Sequence, residues 1–363
     1  MNADFILAIG ELGKEKGIDP ELLFQAVEEA LVTAYKKNFG SNQNVRVDMN
    51  KVTGELHIYA QRHIVAEVGD DPNEISLEEA RKIDPRYEVD DIVETEETPL
   101  NFCRIAAQNA KQVVVQRIRE AERGMVFEKF SSRENDIVTG IIQRMENKNV
   151  YIDLGKAEAI LTPNEQIPGE IYQYHDRMKT YIVEVKKTSK GPQIMVSRTH
   201  PGLLKRLFEL EVPEIHDGLV EIKSVAREPG MRSKISVYTK DENIDPVGAC
   251  VGHKGMRVQT IVNELRGEKI DIVKYSSEPD QYVANALSPA KVVSTEVLEE
   301  EKICRVIVPD YQLSLAIGKE GQNARLAAKL TGWKIDIKSE SQAAEEAEQG
   351  AQEVGVAYEA DED

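Results

Sequence analysis

Two short stretches carry residues whose types and spacing suit a phosphate backbone. They are Gly252-His253-Lys254-Gly255, followed closely by Arg257, and Gly318-Lys319-Glu320-Gly321, followed by Arg325. Glycine at both ends of such a turn lets a second backbone come close, because no Cβ stands in the way. His253, Lys254 and Lys319 bring positive charge to it. Just after the first turn, Val258, Ile261, Val262 and Leu265 recur at i, i+3, i+4 and i+7, the stripe of a helix with one buried face. That helix would aim its free N–H groups and the positive end of its dipole at the turn, which suits an anion. Glu320 is the exception, a carboxylate where phosphate would approach. The first clamp, with His253, Lys254 and Arg257, is therefore expected to grip phosphate more strongly than the second.

The two stretches are copies. Gly252 and Gly255 align with Gly318 and Gly321 at a shift of 66 residues. After a one-residue gap, Leu265, Gly267, Lys269, Ile270, Asp271 and Ile272 match Leu330, Gly332, Lys334, Ile335, Asp336 and Ile337. Asp245-Pro246 marks an N-cap with proline at the first helical position, and Asp310 is expected to cap the second copy in the same way. Around each turn the pattern reads helix, two strands, helix pair, strand. A repeat of this length implies two tandem small domains, expected at 202–276 and 280–339. The α-β-β-α-α-β order with G-x-x-G between paired helices is that of type II KH modules, which clamp about four nucleotides of single-stranded RNA.

The elements upstream must position these clamps. Between 134 and 199, five short alternating strands separated by turn residues suit a closed β-barrel of the OB type. There Tyr151 points opposite Val150 and Ile152, outward, where it could stack on a base, with Arg144 and Lys148 nearby. Residues 1–130 read as a separate α+β domain. Asp19-Pro20 opens a helix that Gly40 stops, two strands follow, and Ser76-Leu77-Glu78-Glu79 is a capping box. A long helix is expected from about Pro99 to Phe130, with Ile105, Val113 and Ile118 on its buried side. Arg104 and Lys111, seven apart, share a face of it, either as a solvated face or as a patch for phosphate. The fold class is thus multidomain α+β: N-terminal domain, OB-type barrel, two tandem KH domains, and an acidic tail at 340–363 expected to be disordered.

Charge and composition bound the function. Half of the formal net charge of −18 sits in the last 25 residues, with nine acidic side chains and no basic one. From Val220 to Lys338 the count is near neutral, 18 Lys plus Arg against 17 Asp plus Glu, so any basic RNA face is local. Cys103, Cys250 and Cys304 lie far apart in apolar runs and read as buried thiols of a reducing cytoplasm. No signal peptide or membrane span is expected. Phosphate-loop, zinc-helix, paired-cysteine and serine-elbow motifs are all missing, so neither enzyme activity, cofactor nor metal is expected.

In this domain order the sequence resembles the NusA family of bacterial transcription elongation factors over residues 1 to 338. The resemblance is carried by EEARKIDP at 79–86, RIAAQNAKQVVVQRIREAER at 104–123, REPGMRSKISV at 227–237, DPVGACVGHKGMRVQ at 245–259 and SLAIGKEGQNARLA at 314–327. It implies that the N-terminal domain docks on RNA polymerase core, at the β flap near the RNA exit channel, while barrel and KH domains bind nascent RNA. It also implies prolonged pausing at hairpins, intrinsic termination, and antitermination with other factors, by a monomer. It places Arg104 and Lys111 beside the nascent RNA. The short acidic tail departs from members that carry further acidic repeats. The alternative is a polymerase-independent RNA-binding factor in ribosome assembly or RNA decay, which leaves the first domain without a task.

Overall fold

The computed structural model describes residues 3–39, 43–69, 71–99 and 102–346, and the chain divides into two compact units, Met1–Glu128 and Lys129–Asp363. No described helix is long and apolar enough to cross a membrane.

In the first unit, α1 (Ala3–Lys16) and α2 (Pro20–Phe39) precede β1 (Asn44–Met49), β2 (Leu56–Val65), β3 (Glu74–Ser76), α3 (Leu77–Ile83), β4 (Ile92–Glu96) and α4 (Phe102–Ser131). Asp19 opens α2 by accepting from the Glu21 N–H at 2.9 Å, and the Ser76 hydroxyl caps α3 through the Glu79 N–H at 3.2 Å. Strand β2 pairs antiparallel with β1 and β4 and parallel with β3. Leu23, Val27 and Leu31 of α2 pack with Val47, Met49 and Ile58 of the sheet. Helix α1 has no counterpart in the sequence reading, since Gly10 and Gly13 lower its propensity. Burial of Ile6 and Ile9 in the same core supplies what propensity does not.

The buried side of α4 needs a correction. Phe102, Ala106, Ala110 and Val114, spaced by four, form its buried ridge, whereas Ile105, Val113 and Ile118 are only half-buried. Two alanines let the helix sit close to the core around Phe102, which meets the Tyr35 ring edge-on at 5.7 Å.

In the second unit, β5 (Ile137–Glu146), β6 (Asn149–Asp153), β7 (Glu158–Leu161), β8 (Arg177–Thr188) and β9 (Gly191–Ser197) close into a barrel of order β5-β6-β7-β9-β8. Then follow α5 (Pro201–Glu211), α6 (Pro213–His216), β10 (Glu221–Glu228), β11 (Arg232–Tyr238), α7 (Pro246–Val251), α8 (Met256–Glu264) and β12 (Lys269–Lys274). The second copy is α9 (Pro279–Ala286), β13 (Ser294–Leu298), β14 (Ile303–Val308), α10 (Leu313–Ile317), α11 (Gln322–Thr331) and β15 (Lys334–Ser339). In both copies the first strand pair is antiparallel and the second parallel.

Asp310 does not cap as Asp245 does. It accepts from the Ser341 hydroxyl at 3.0 Å, tying the end of β15 to the start of the second helix pair. The chain stays ordered past Ser339, as a helix over residues 340–346, because the Gln342 amide oxygen satisfies the Ser339 N–H at 3.1 Å. The rest of the acidic tail, 347–363, lies outside the described residues. Cys250 and Cys304 are buried free thiols; the Cys103 side chain is outside the description.

Buried charge joins barrel to first KH domain. Arg198 is 1% exposed, pairs with Glu170, and donates to the carbonyls of Lys179 at 2.9 Å and Glu264 at 3.0 Å. Arg227 and Glu268 are both wholly buried, joined by two hydrogen bonds of 2.8 Å, and Arg227 also donates to the His200 carbonyl at 2.9 Å. Ile137 and Tyr181 of the barrel enter the core of the first KH domain beside Leu203, Leu204 and Leu207. A Cβ on Gly202 would lie 2.5 Å from the Tyr181 ring, so only glycine allows this approach. The second joint is built the same way: Ala226 and Val273, from the first KH sheet, belong to the core of the second KH domain.

Burial by itself would raise the Glu268 carboxyl, but hydrogen bonds from Arg227, Ser233 and the Gly230 N–H outweigh it and hold it below the usual carboxylate range. Its contribution is therefore complete above the unfolded value of about 4.3 and is lost as pH falls through the lower folded value. Replacing it by Glu268→Gln strands the Arg227 charge and is expected to destabilise this unit by about 3–5 kcal/mol in urea melts. Comparing those melts between pH 7 and pH 3 should show that the variant has lost this part of the acid sensitivity.

Candidate nucleic-acid interface

Helix α7 begins where the Asp245 carboxylate accepts from the Val247 N–H at 3.1 Å, with Pro246 at its first position. It ends at Gly252, with φ 74° and ψ 177°, and α8 starts after Lys254 at φ 50°, ψ 27° and Gly255 at φ 77°, ψ 12°. The second turn repeats the trace: Gly318 at 76° and 172°, Glu320 at 54° and 28°, Gly321 at 73° and 14°. Each clamp thus has three residues of positive φ, two of them in the left-handed helical region and one of those two not glycine. For an L-residue that conformation costs roughly 1–2 kcal/mol.

The two glycines of each clamp are needed for different reasons. A Cβ on Gly252 would meet Arg257 Cγ at 2.7 Å, and one on Gly318 would meet the Asn323 backbone nitrogen at 2.8 Å. Around Gly255 and Gly321 there is open space, so the requirement there is the positive φ alone.

Arg257, expected among the phosphate contacts, is half-buried and bonded within its own domain. Its Nη1 donates to the Ala249 carbonyl at 2.6 Å and to Glu214 at 2.9 Å, satisfying a carbonyl in the last turn of α7. At the matching position of the second copy, Asn323 does the same work. Its Nδ2 donates to the carbonyls of Leu287 and Ala316, each at 3.0 Å. Nothing marked Asn323 beforehand except its alignment with Arg257.

His253, Lys254, Lys319 and Glu320 are exposed, and among the described residues none has an ion-pair partner. Arg325, one turn into α11, reaches back to donate to the Glu320 carbonyl at 3.1 Å and bonds Glu228 of the first KH domain at 2.6 Å. In the barrel, the Arg144 guanidinium lies 4.0 Å over the Tyr151 ring and is held by Glu158 through Nη2 at 2.8 Å. One face of Tyr151 is therefore covered by the half-exposed Arg144 side chain. The Lys148 carbonyl accepts from Gln166 at 2.7 Å, which fixes the β5–β6 turn beside it. Arg104 and Lys111 are both exposed on α4, in the first unit. No cluster of His, Cys, Asp or Glu among the described residues could hold a metal ion.

Comparison with known proteins covers nearly the whole chain. Residues 4–124 match the NusA N-terminal domain, 131–197 the S1 RNA binding domain, 198–275 the NusA-like first KH domain and 279–345 the NusA-like second KH domain. The transcription termination/antitermination protein NusA of Halalkalibacterium halodurans is 65% identical over 345 residues, spanning 95% of this chain and 90% of that protein. The protein of the same name from Bacillus subtilis is 64% identical over 345 residues, spanning 95% and 93%. The solution structure of the N-terminal domain of NusA from B. subtilis is 54% identical, covers 34% of this chain and 99% of that one, and gives a TM-score of 0.32.

The asymmetry between the clamps sets their tolerance to a side chain. Gly318→Ala should destabilise the second unit more than Gly252→Ala, because a backbone nitrogen cannot yield as the Arg257 side chain can. Gly255→Ala and Gly321→Ala should each cost only the left-handed penalty of about 1–2 kcal/mol. Denaturant midpoints of the four variants check the order.

Proposed function

The chain belongs to the NusA family of transcription termination/antitermination proteins, and from that premise we propose that it couples RNA polymerase to the emerging transcript. In this reading the 1–130 domain docks on the polymerase core at the β flap, near the RNA exit channel. The barrel and KH pair grip nascent single-stranded RNA. The consequence is longer dwell at hairpin-stabilised pauses, more intrinsic termination, and participation in antitermination with other factors, in the cytoplasm and without a catalytic step. The observation that carries the RNA part is the pair of matching clamps, each with an exposed lysine, the first of them in a domain joined to the barrel through buried ion pairs. Weak contacts held in a fixed array add through effective concentration.

Within this surface the ranking of clamps stands on Glu320. His253 and Lys254 face solvent with no carboxylate in the turn, which supports the first clamp as the stronger phosphate site, even with Arg257 bonded within its own domain. Arg144 over Tyr151 supports a stacking plane on the barrel, and the exposed Arg104 and Lys111 support a basic strip on α4.

Dwell time of purified polymerase at a hairpin-stabilised pause, compared without factor, with the full chain and with residues 1–130, tests the reading. The full chain should lengthen the dwell; no change in any lane would leave a polymerase-independent RNA-binding factor. In RNA binding, Lys254→Ala should lower the slope of log affinity against log salt by about 0.7, the value for one phosphate on a single strand. Gly252→Asp should weaken RNA more than Gly318→Asp, and the reverse order would overturn the ranking.

A further inference from the structure

Charge is exchanged between matching positions of the two clamps. The first has Lys254 in the turn and Gln259 on the helix behind it; the second has Glu320 and Arg325. The cation has moved from turn to helix. Yet Arg325 does not point away along α11, since its Nη1 reaches the carbonyl of Glu320, inside the turn itself, at 3.1 Å. Its Nη2 makes no hydrogen bond to any described residue, and the side chain is 48% exposed. The guanidinium therefore lies over the clamp with one edge turned to solvent.

What holds it there belongs to the other KH domain. Glu228 accepts from Arg325 Nε at 2.6 Å and from the Gln322 amide at 2.8 Å, so one carboxylate spans the first turn of α11. Glu228 is only 17% exposed and has little freedom of its own. On one side Arg227 is locked to Glu268. On the other, Gly230 packs so near the barrel that a Cβ there would lie 2.4 Å from Ile167. The β10–β11 turn thus touches the barrel, its own domain and the second clamp.

We propose that Arg325 supplies the phosphate contact that Glu320 removes from the second clamp, and that Glu228 is the positioning residue that aims it. This rests on the RNA-binding reading above, and the ligand is the phosphodiester backbone of single-stranded RNA. An arginine already fixed through two of its nitrogens loses little freedom when the third meets a phosphate oxygen. It also makes the second clamp depend on the packing of the two KH domains, since its cation is aimed from outside its own module.

The test uses the full chain and an unstructured oligouridine RNA long enough to span both clamps. Arg325→Ala should weaken binding several-fold and lower the salt slope by about 0.7. Glu228→Gln, nearly the same shape, should weaken binding while Arg325 is present and have no such effect in the Arg325→Ala background. Removing a negative charge also favours RNA generally, but that gain would appear in both backgrounds, so the difference between them isolates the positioning. An unchanged salt slope in Arg325→Ala overturns the proposal. So does an equal effect of Glu228→Gln in both backgrounds, or tightening only when Arg325 is present, which would mean that Glu228 sequesters the arginine. A parent chain that does not bind the RNA at all would instead take down the RNA-binding reading, and the proposal with it.

Discussion

A guanidinium out of water has to be met on every side, and Arg227 is met by parts of the chain that are far apart in sequence. Glu268 lies beyond the first helix pair, Ser233 and Gly230 secure that carboxylate, and the His200 carbonyl belongs to the link leaving the barrel. Arg198, two residues before His200, plays the same part between Glu170 of the barrel and the end of α8. A buried pair of this kind is a poor source of net stability compared with apolar packing. It is, however, intolerant of misalignment, because any shift leaves a charge unpaired in a dry interior. The barrel and first KH domain are thereby set at one angle.

The repeated clamp shows what a duplicated unit keeps and what it exchanges. Both copies keep the backbone trace to within a few degrees, and both fill the space behind the first glycine with a side chain that donates to the end of the preceding helix. Arginine does this in one and asparagine in the other, so the constraint is on the hydrogen bond and not on the charge. The exposed positions are free of that constraint. There lysine is replaced by glutamate, and the cation is supplied from the helix.

The sheet faces of the two KH domains are divided by the same logic. The first sheet turns Ala226, Ser236 and Val273 toward the second domain, with Lys234 buried against Asp271 and the Ser288 carbonyl. At the matching positions the second sheet has Glu296, Ile307 and Lys338; the Glu296 carboxylate is open to water and the half-buried Lys338 ammonium pairs with Glu346. Small residues on the first sheet make a face on which the second domain stacks.

The amino-acid sequence by itself determined the repeat, the two helix pairs, the five barrel strands and the backbone of the clamps. Those features are local: a period of 3.6 or 2, a proline after an aspartate, and glycines where φ must be positive. It also identified the exposed lysines, since an unpaired charge beside a glycine turn has few other places to be. Local pattern could not rank the many apolar positions of α4, where two alanines turned out to set the buried ridge. Nor could it tell which carboxylate each clamp arginine would meet. Arg257 and Arg325 read alike in sequence, and only the tertiary structure gave each its partner, Glu214 at a distance of 43 residues and Glu228 at 97. A side chain's partner across the fold depends on how the domains pack, and that packing is decided by buried charges whose mates lie too far along the chain for spacing to connect them.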